Sequence, residues 1–195
     1  MNRKAERGQA TRDRLVAVAT RLFAELGYEE TSIEQVLHES GVSRGALYHH
    51  FGGKEALFEA VLEEVEQDIG RRLQADIAEA DGLLALIRAG CLGWIRMTAD
   101  PVIQQVLLVD APSVLGWQRW RELDEQHTLG EIKALLAAVA QEGRLDPAQV
   151  DLMAYVWIAV MNEIALYIAR AEDGEAARRE GEAVVDTFLQ RLLGA

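Results

Sequence analysis

Gly41-Val42-Ser43-Arg44-Gly45-Ala46-Leu47-Tyr48-His49-His50-Phe51 admits two incompatible readings. Its first five residues satisfy G-x-S-x-G, the pattern of a nucleophile elbow, which would make Ser43 a catalytic serine. The same residues also read as the turn and second helix of a helix-turn-helix, with Ser43 as its N-cap. The residues upstream separate the two. An elbow needs a strand before it, because the sharp strand-to-helix turn lifts the hydroxyl out of a sheet. What precedes Gly41 is IEQVLHES, with helical periodicity. A triad would also need a downstream acid and histidine, and beyond His50 the chain holds only His127, in a charge-rich segment. Ser43 is therefore read as a cap, with a small serine hydrolase as the weaker alternative.

The helix-turn-helix reading has its own support. Leu47 and Phe51, four apart, point inward, which turns Arg44, Gly45, Tyr48 and His49 outward. That face combines a cation, ring donors and a glycine permitting close approach, which suits base edges and phosphates. Ser43 and the free amides of the first turn offer a positive helix end to a phosphate, and Lys54 at the start of the next helix offers another.

Total charge at first opposes a polyanionic partner, for the 195-residue chain carries −12. The distribution reverses that. Residues 1–54 hold eight Lys/Arg against seven Asp/Glu, a net of +1, and residues 55–195 hold twelve against twenty-five, a net of −13. Local field governs the approach of a polyanion. Half the chain is hydrophobic and 27% charged, a globular composition. A lone cysteine, Cys91, cannot form an internal disulfide, and no Cys/His cluster suggests a metal. No cofactor is implied, and a reducing cytoplasm is the expected setting. The N-terminus is charged with no apolar stretch behind it, so no signal sequence is read there. The longest strongly apolar run, residues 152–161, is about half a membrane span, so no membrane partner is expected.

Periodicity near 3.6 and only three prolines predict an all-α chain of about nine helices. The first is expected over 12–26, capped by Thr11 and closed by Gly27. Thr31-Ser32-Ile33-Glu34 reads as a capping box for a short second helix, with Glu34 as the partner. Helix 3 follows Ser43, and helix 4 runs from about Lys54 to Ile77. Later helices are expected near Cys91, Trp94 and Met97, over 113–141, over 147–171 and over 175–193. The division falls near Lys54: residues 1–54 as a helix-turn-helix domain, residues 55–195 as a second, helical domain.

The stretch 11–61, TRDRLVAVATRLFAELGYEETSIEQVLHESGVSRGALYHHFGGKEALFEAV, resembles the N-terminal domain of the TetR family of transcriptional regulators. The resemblance implies a cytoplasmic, all-helical homodimer, not an enzyme, binding a palindromic double-stranded DNA operator and sensing a small molecule through a divergent C-terminal domain. It implies that Arg44, Gly45 and His49 approach bases and that Tyr48, His50 and Lys54 meet the phosphate backbone. Two departures stand out: Leu37 occupies a position usually held by alanine, and Glu34 lies near a position from which some members reach DNA.

Beyond Val65 the residues speak alone. The segment DLMAYVWIAVMNEIALYIA is apolar almost all round, so it is buried on more than one side. The last helix places Ala177, Gly181, Val184, Val185, Phe188 and Leu192 at helical spacing, with Gly181 as a close approach. The two helices together suggest a four-helix dimer interface. Trp94, Met97, Trp117, Trp120, Trp157 and Met161 form either plain core or the lining of a largely apolar effector pocket. Arg96, Asn162 and Glu163 tilt toward the pocket, since polar groups buried in apolar helix need partners. An effector-independent DNA-binding protein is the other alternative.

Overall fold

The computed structural model describes residues 3–124 and 128–193, except for the side chains of residues 3, 4, 117, 121 and 124. Ten α-helices are present among the described residues, and no strand. They are α1 (Arg3–Glu30), α2 (Ile33–Ser40), α3 (Arg44–His50), α4 (Lys54–Ile77), α5 (Leu83–Met97), α6 (Ala111–Val114), α7 (Gly116–Asp124), α8 (Gly130–Gln141), α9 (Val150–Arg170) and α10 (Gly174–Leu193). A π-helical segment, Ile103–Asp110, precedes α6. A 3-10 turn, Pro147–Gln149, precedes α9.

The helices gather into two compact units that are not contiguous in sequence. The first comprises residues 1–65 and 101–120, the second residues 66–100 and 121–195, and α4 runs through the boundary. In the first unit, Leu15, Val16, Ala19, Leu22 and Phe23 of α1 are buried together with Val36, Leu47, Leu57, Phe58, Val61 and Leu62. Phe23, Tyr28 and Phe58 pack ring on ring, with centroids 5.1 to 5.7 Å apart. The π-helical segment lies along α1, adding Ile103, Val106 and Leu107 to the buried set.

Three expectations about this unit are corrected. Helix α1 starts at Arg3, not after Thr11, and Thr11 sits within it, donating its hydroxyl to the Arg7 carbonyl at 2.9 Å. A threonine hydroxyl serves a helix interior this way as well as it caps one. Gly27 interrupts α1 at φ 79°, ψ 166°, but the helix resumes to Glu30. The capping box of α2 is shifted by one residue. Ser32 is the N-cap and Gln35 its partner, the Ser32 N–H donating to Gln35 Oε1 at 2.7 Å. Thr31 is buried instead, its hydroxyl shared between the carbonyls of Gly27 at 2.8 Å and Leu22 at 3.2 Å.

The Gly27 break is held by the π-helical segment beside it. The Tyr28 N–H donates to Asp110 Oδ2 at 2.8 Å, and Gln105 Nε2 donates to Asp110 Oδ1 at 3.0 Å. Burial pushes the Asp110 carboxyl above its ordinary value of 3.8, against the pull of these two donors. The folded chain thus holds this proton more tightly than the unfolded chain does. Its contribution to stability therefore declines as pH rises from about 3.8 through the raised folded value, and is level above it. Asp110→Asn is expected to flatten that stretch of a stability–pH curve at small cost, because Gln105 can turn its amide to present oxygen. Asp110→Leu removes a hydrogen bond to a carboxylate from a half-buried N–H and is expected to cost about 1–3 kcal/mol by urea titration at neutral pH. Equal stability of the two variants at pH 7 would show that the Tyr28 contact contributes nothing.

In the second unit α9 packs on α5, α8 and α10. With the turn before it, α9 is long and apolar enough to cross a membrane by composition. Here Ala154, Trp157, Met161, Ile164, Ala165 and Ile168 are buried against neighbouring helices. Gly181 of α10 faces this helix of its own chain: a methyl there would fall 2.9 Å from Ile164 Cγ2 and 3.0 Å from Ile168 Cδ1. Arg88 of α5 grips Asp186 of α10 through two bonds, 2.6 and 2.9 Å. The helix expected over 113–141 is broken at Gly116, φ 73°, and residues 125–127 within it, including His127, lie outside the described set. Arg96 and Glu163 are exposed rather than buried, with Arg96 bridging to Asp76 at 3.1 Å.

Candidate nucleic-acid interface

Helix α2 is short, and its ends are fixed by local chemistry. The Ser32–Gln35 box starts it, and Gly41 in the left-handed region (φ 65°) ends it, its N–H donating to the Leu37 carbonyl. Two residues later the Ser43 hydroxyl accepts from the Ala46 N–H at 3.3 Å and starts α3. A helix therefore precedes Ser43, not a strand, and the elbow geometry is excluded. The serine is a cap.

Leu47 is fully buried and Phe51 nearly so, which anchors α3 by one face. Arg44, Gly45, Tyr48 and His49 lie on the other, all exposed. Beyond its chain neighbours and its own helix backbone, nothing lies within 4 Å of where a Gly45 side chain would project, so that position is open to a close approach. His50 is half-buried, its ring beside those of His49 and Phe51. The α1 extension passes near it, a methyl on Gly8 reaching within 3.9 Å of the His50 ring.

Two cations of the site are already engaged. Lys54 donates to the Glu29 carbonyl at 3.2 Å and stands 4.1 Å over the Tyr28 ring. Arg44 donates from Nη2 to Glu34 Oε1 at 2.6 Å, linking α3 to α2. The guanidinium holds the Glu34 carboxyl below its ordinary range. Glu34 is thus not the capping-box partner the sequence suggested. Arg14 was also missed. Its Nη2 lies 3.6 Å from where a methyl on Gly41 would sit, so this exposed cation flanks the turn. A basic N-terminal segment was visible in the sequence, but nothing local tells which of its arginines reaches the turn.

A short recognition-type helix anchored on one face and open on the other, behind a capped first helix, matches known proteins in sequence and fold. Residues 15–61 match the model of bacterial regulatory proteins of the tetR family, and residues 84–192 match that of the tetracyclin repressor-like C-terminal domain. The chain belongs to the TetR family. The Transposon Tn10 TetC protein of Escherichia coli is 24% identical over 195 residues, covering 98% of this chain and 96% of that protein. The transcriptional repressor AcnR of Corynebacterium efficiens is 32% identical over 142 residues, 69% of each chain. A TetR-family regulator from Pectobacterium atrosepticum superposes with a TM-score of 0.79 at 31% identity, covering 96% of both chains. Like other TetR-family proteins, this chain is a ligand-responsive, DNA-binding transcriptional regulator, a class distinct from enzymes.

The residues expected to line an effector site are distributed unevenly. Trp94, Trp157 and Met161 come together in the second unit, where Trp94 Nε1 donates to the Met161 carbonyl at 3.3 Å and Trp157 packs edge-on to Phe188 at 5.4 Å. Trp157 also borders Cys91, whose thiol is pushed up to about 12 by burial. Met97 is buried on α5, and Asn162 is half-buried on α9. Trp120 belongs to the first unit, and the side chain of Trp117 lies outside the described residues.

Proposed function

We propose that this TetR-family regulator is a repressor that acts in the cytoplasm as a homodimer, its two α3 helices entering successive major grooves of a palindromic operator. The observation that carries the reading is the open face of α3. On this reading Arg44, Gly45 and His49 meet base edges, and Ser43, Tyr48, His50 and Lys54 meet phosphates. Residues 1–54 serve as the DNA-binding domain and 55–195 as the effector and dimer domain. A largely apolar effector is assigned to Trp94, Met97, Trp157, Met161 and Asn162 of the second unit. Its binding favours an arrangement of the dimer that no longer fits the operator.

Dimerisation is assigned to the outer side of α9 and α10. Leu152, Val156 and Tyr167 recur at helical spacing along α9 and remain exposed, as does Val184 on α10. The Tyr167 hydroxyl donates to Glu180 Oε2 at 2.6 Å, so the two exposed stripes adjoin. An apolar stripe of this extent on a soluble regulator supports a two-fold contact.

The test begins by selecting bound fragments from the source genome with purified protein, which supplies the operator. Tyr48→Phe is then expected to weaken all sequences alike. Arg44→Ala is expected to relax preference at one base pair by about ten- to a hundredfold. Wild-type binding by both variants would remove α3 from the DNA.

A further inference from the structure

With Gln35 completing the capping box, Glu34 is not the box partner; its carboxylate accepts from its own backbone N–H in the first turn of α2 and is directed at Arg44. That is unexpected on a surface meant for phosphates, where a carboxylate opposes binding. We infer that Glu34 is a specificity-determining positioning residue, whose carboxylate, bonded from α2 to Arg44 Nη2 at 2.6 Å, sets the direction in which the guanidinium meets a base edge.

The geometry suits this role. Arg44 is the first residue of α3 and its side chain is more than half exposed, so packing limits its rotamers only weakly. Unrestrained, such a side chain samples many orientations and loses that freedom on docking. The bond to Glu34 crosses the turn and holds the guanidinium from outside its own helix. The Tyr48 hydroxyl, one turn along α3, borders the same group. A guanidinium has five N–H donors, so the contacts to Glu34 and Tyr48 still leave a usable fork for a guanine edge. Glu34 then acts on base preference only through Arg44, and the inference rests on the proposed placement of Arg44 at a base.

The experiment is selection from a randomised duplex library by the full-length chain, alone and as Glu34→Gln, Arg44→Ala and the double variant. Affinity for the selected site and for random duplex is measured alongside. Arg44→Ala should flatten preference at one base pair. Glu34→Gln, exposed and nearly isosteric, should melt like the wild type and flatten the same pair by about two- to fivefold. Its affinity for random duplex should hold or rise, one negative charge being gone. In the double variant the two losses should not add. Unchanged preference in Glu34→Gln, or loss at a different base pair, would overturn the inference while Arg44 kept its role. Unchanged preference in Arg44→Ala would bring down the placement of Arg44 itself, and the role of Glu34 with it.

Discussion

Gly181→Glu is expected to lower the stability of the folded subunit by about 3–5 kcal/mol, irrespective of oligomeric state. The glycine is buried against Ile164 and Ile168 of its own chain, where even a methyl crowds both isoleucines. Glutamate adds a longer stem and a carboxylate with no cation in reach among those neighbours. Domains of this kind have about 5–15 kcal/mol in total, so much of the margin is spent. Urea titration should show an early midpoint with α9 and α10 lost together. Monomers with a normal midpoint would mean that Gly181 faces a second subunit instead.

The double variant Val156→Glu with Val184→Glu should behave in the opposite way. Both side chains are already about half exposed in the subunit, at 41% and 50%, so their replacement leaves the core intact. On the proposed interface they place like charges across a two-fold axis and desolvate carboxylates. Monomers by sedimentation, subunit helicity near wild type and at least a hundredfold loss of operator affinity are expected. One α3 offers few base contacts, and specific recognition is typically a thousandfold or more above non-specific binding. A dimer that retains operator affinity would place the interface elsewhere.

How far the sequence carried the reading varied with how local each feature is. Helices α2 and α3 and their turn were readable because Gly41 and Ser43 act on neighbours within four residues, although the cap of α2 lies one residue later than the sequence suggested. The end of α4 at Ile77 and the extents of α9 and α10 followed from unbroken periodicity. The errors share one cause. A residue type can have two uses, and contacts decide between them. Thr11 looks like a cap but bonds back within α1, and Glu34 looks like a box partner while Gln35 does that work. Gly181 marks a close approach without saying to what, and only the coordinates identify Ile164 and Ile168. Asp110 carried no signal at all, because its partner Tyr28 lies 82 residues away.

That last contact bears on recombination. A crossover after residue 54 or 65, exchanging the head of one regulator for that of another, would transfer Tyr28 and leave Asp110 and Gln105 behind. The grafted head would then meet whatever the recipient carries at those positions. Hybrids should therefore inherit full stability only when parents share this carboxylate and amide, or when residues 101–120 travel with the head. The compact unit that carries α3 is thus encoded by two separate stretches of gene, and a single crossover cannot exchange it intact.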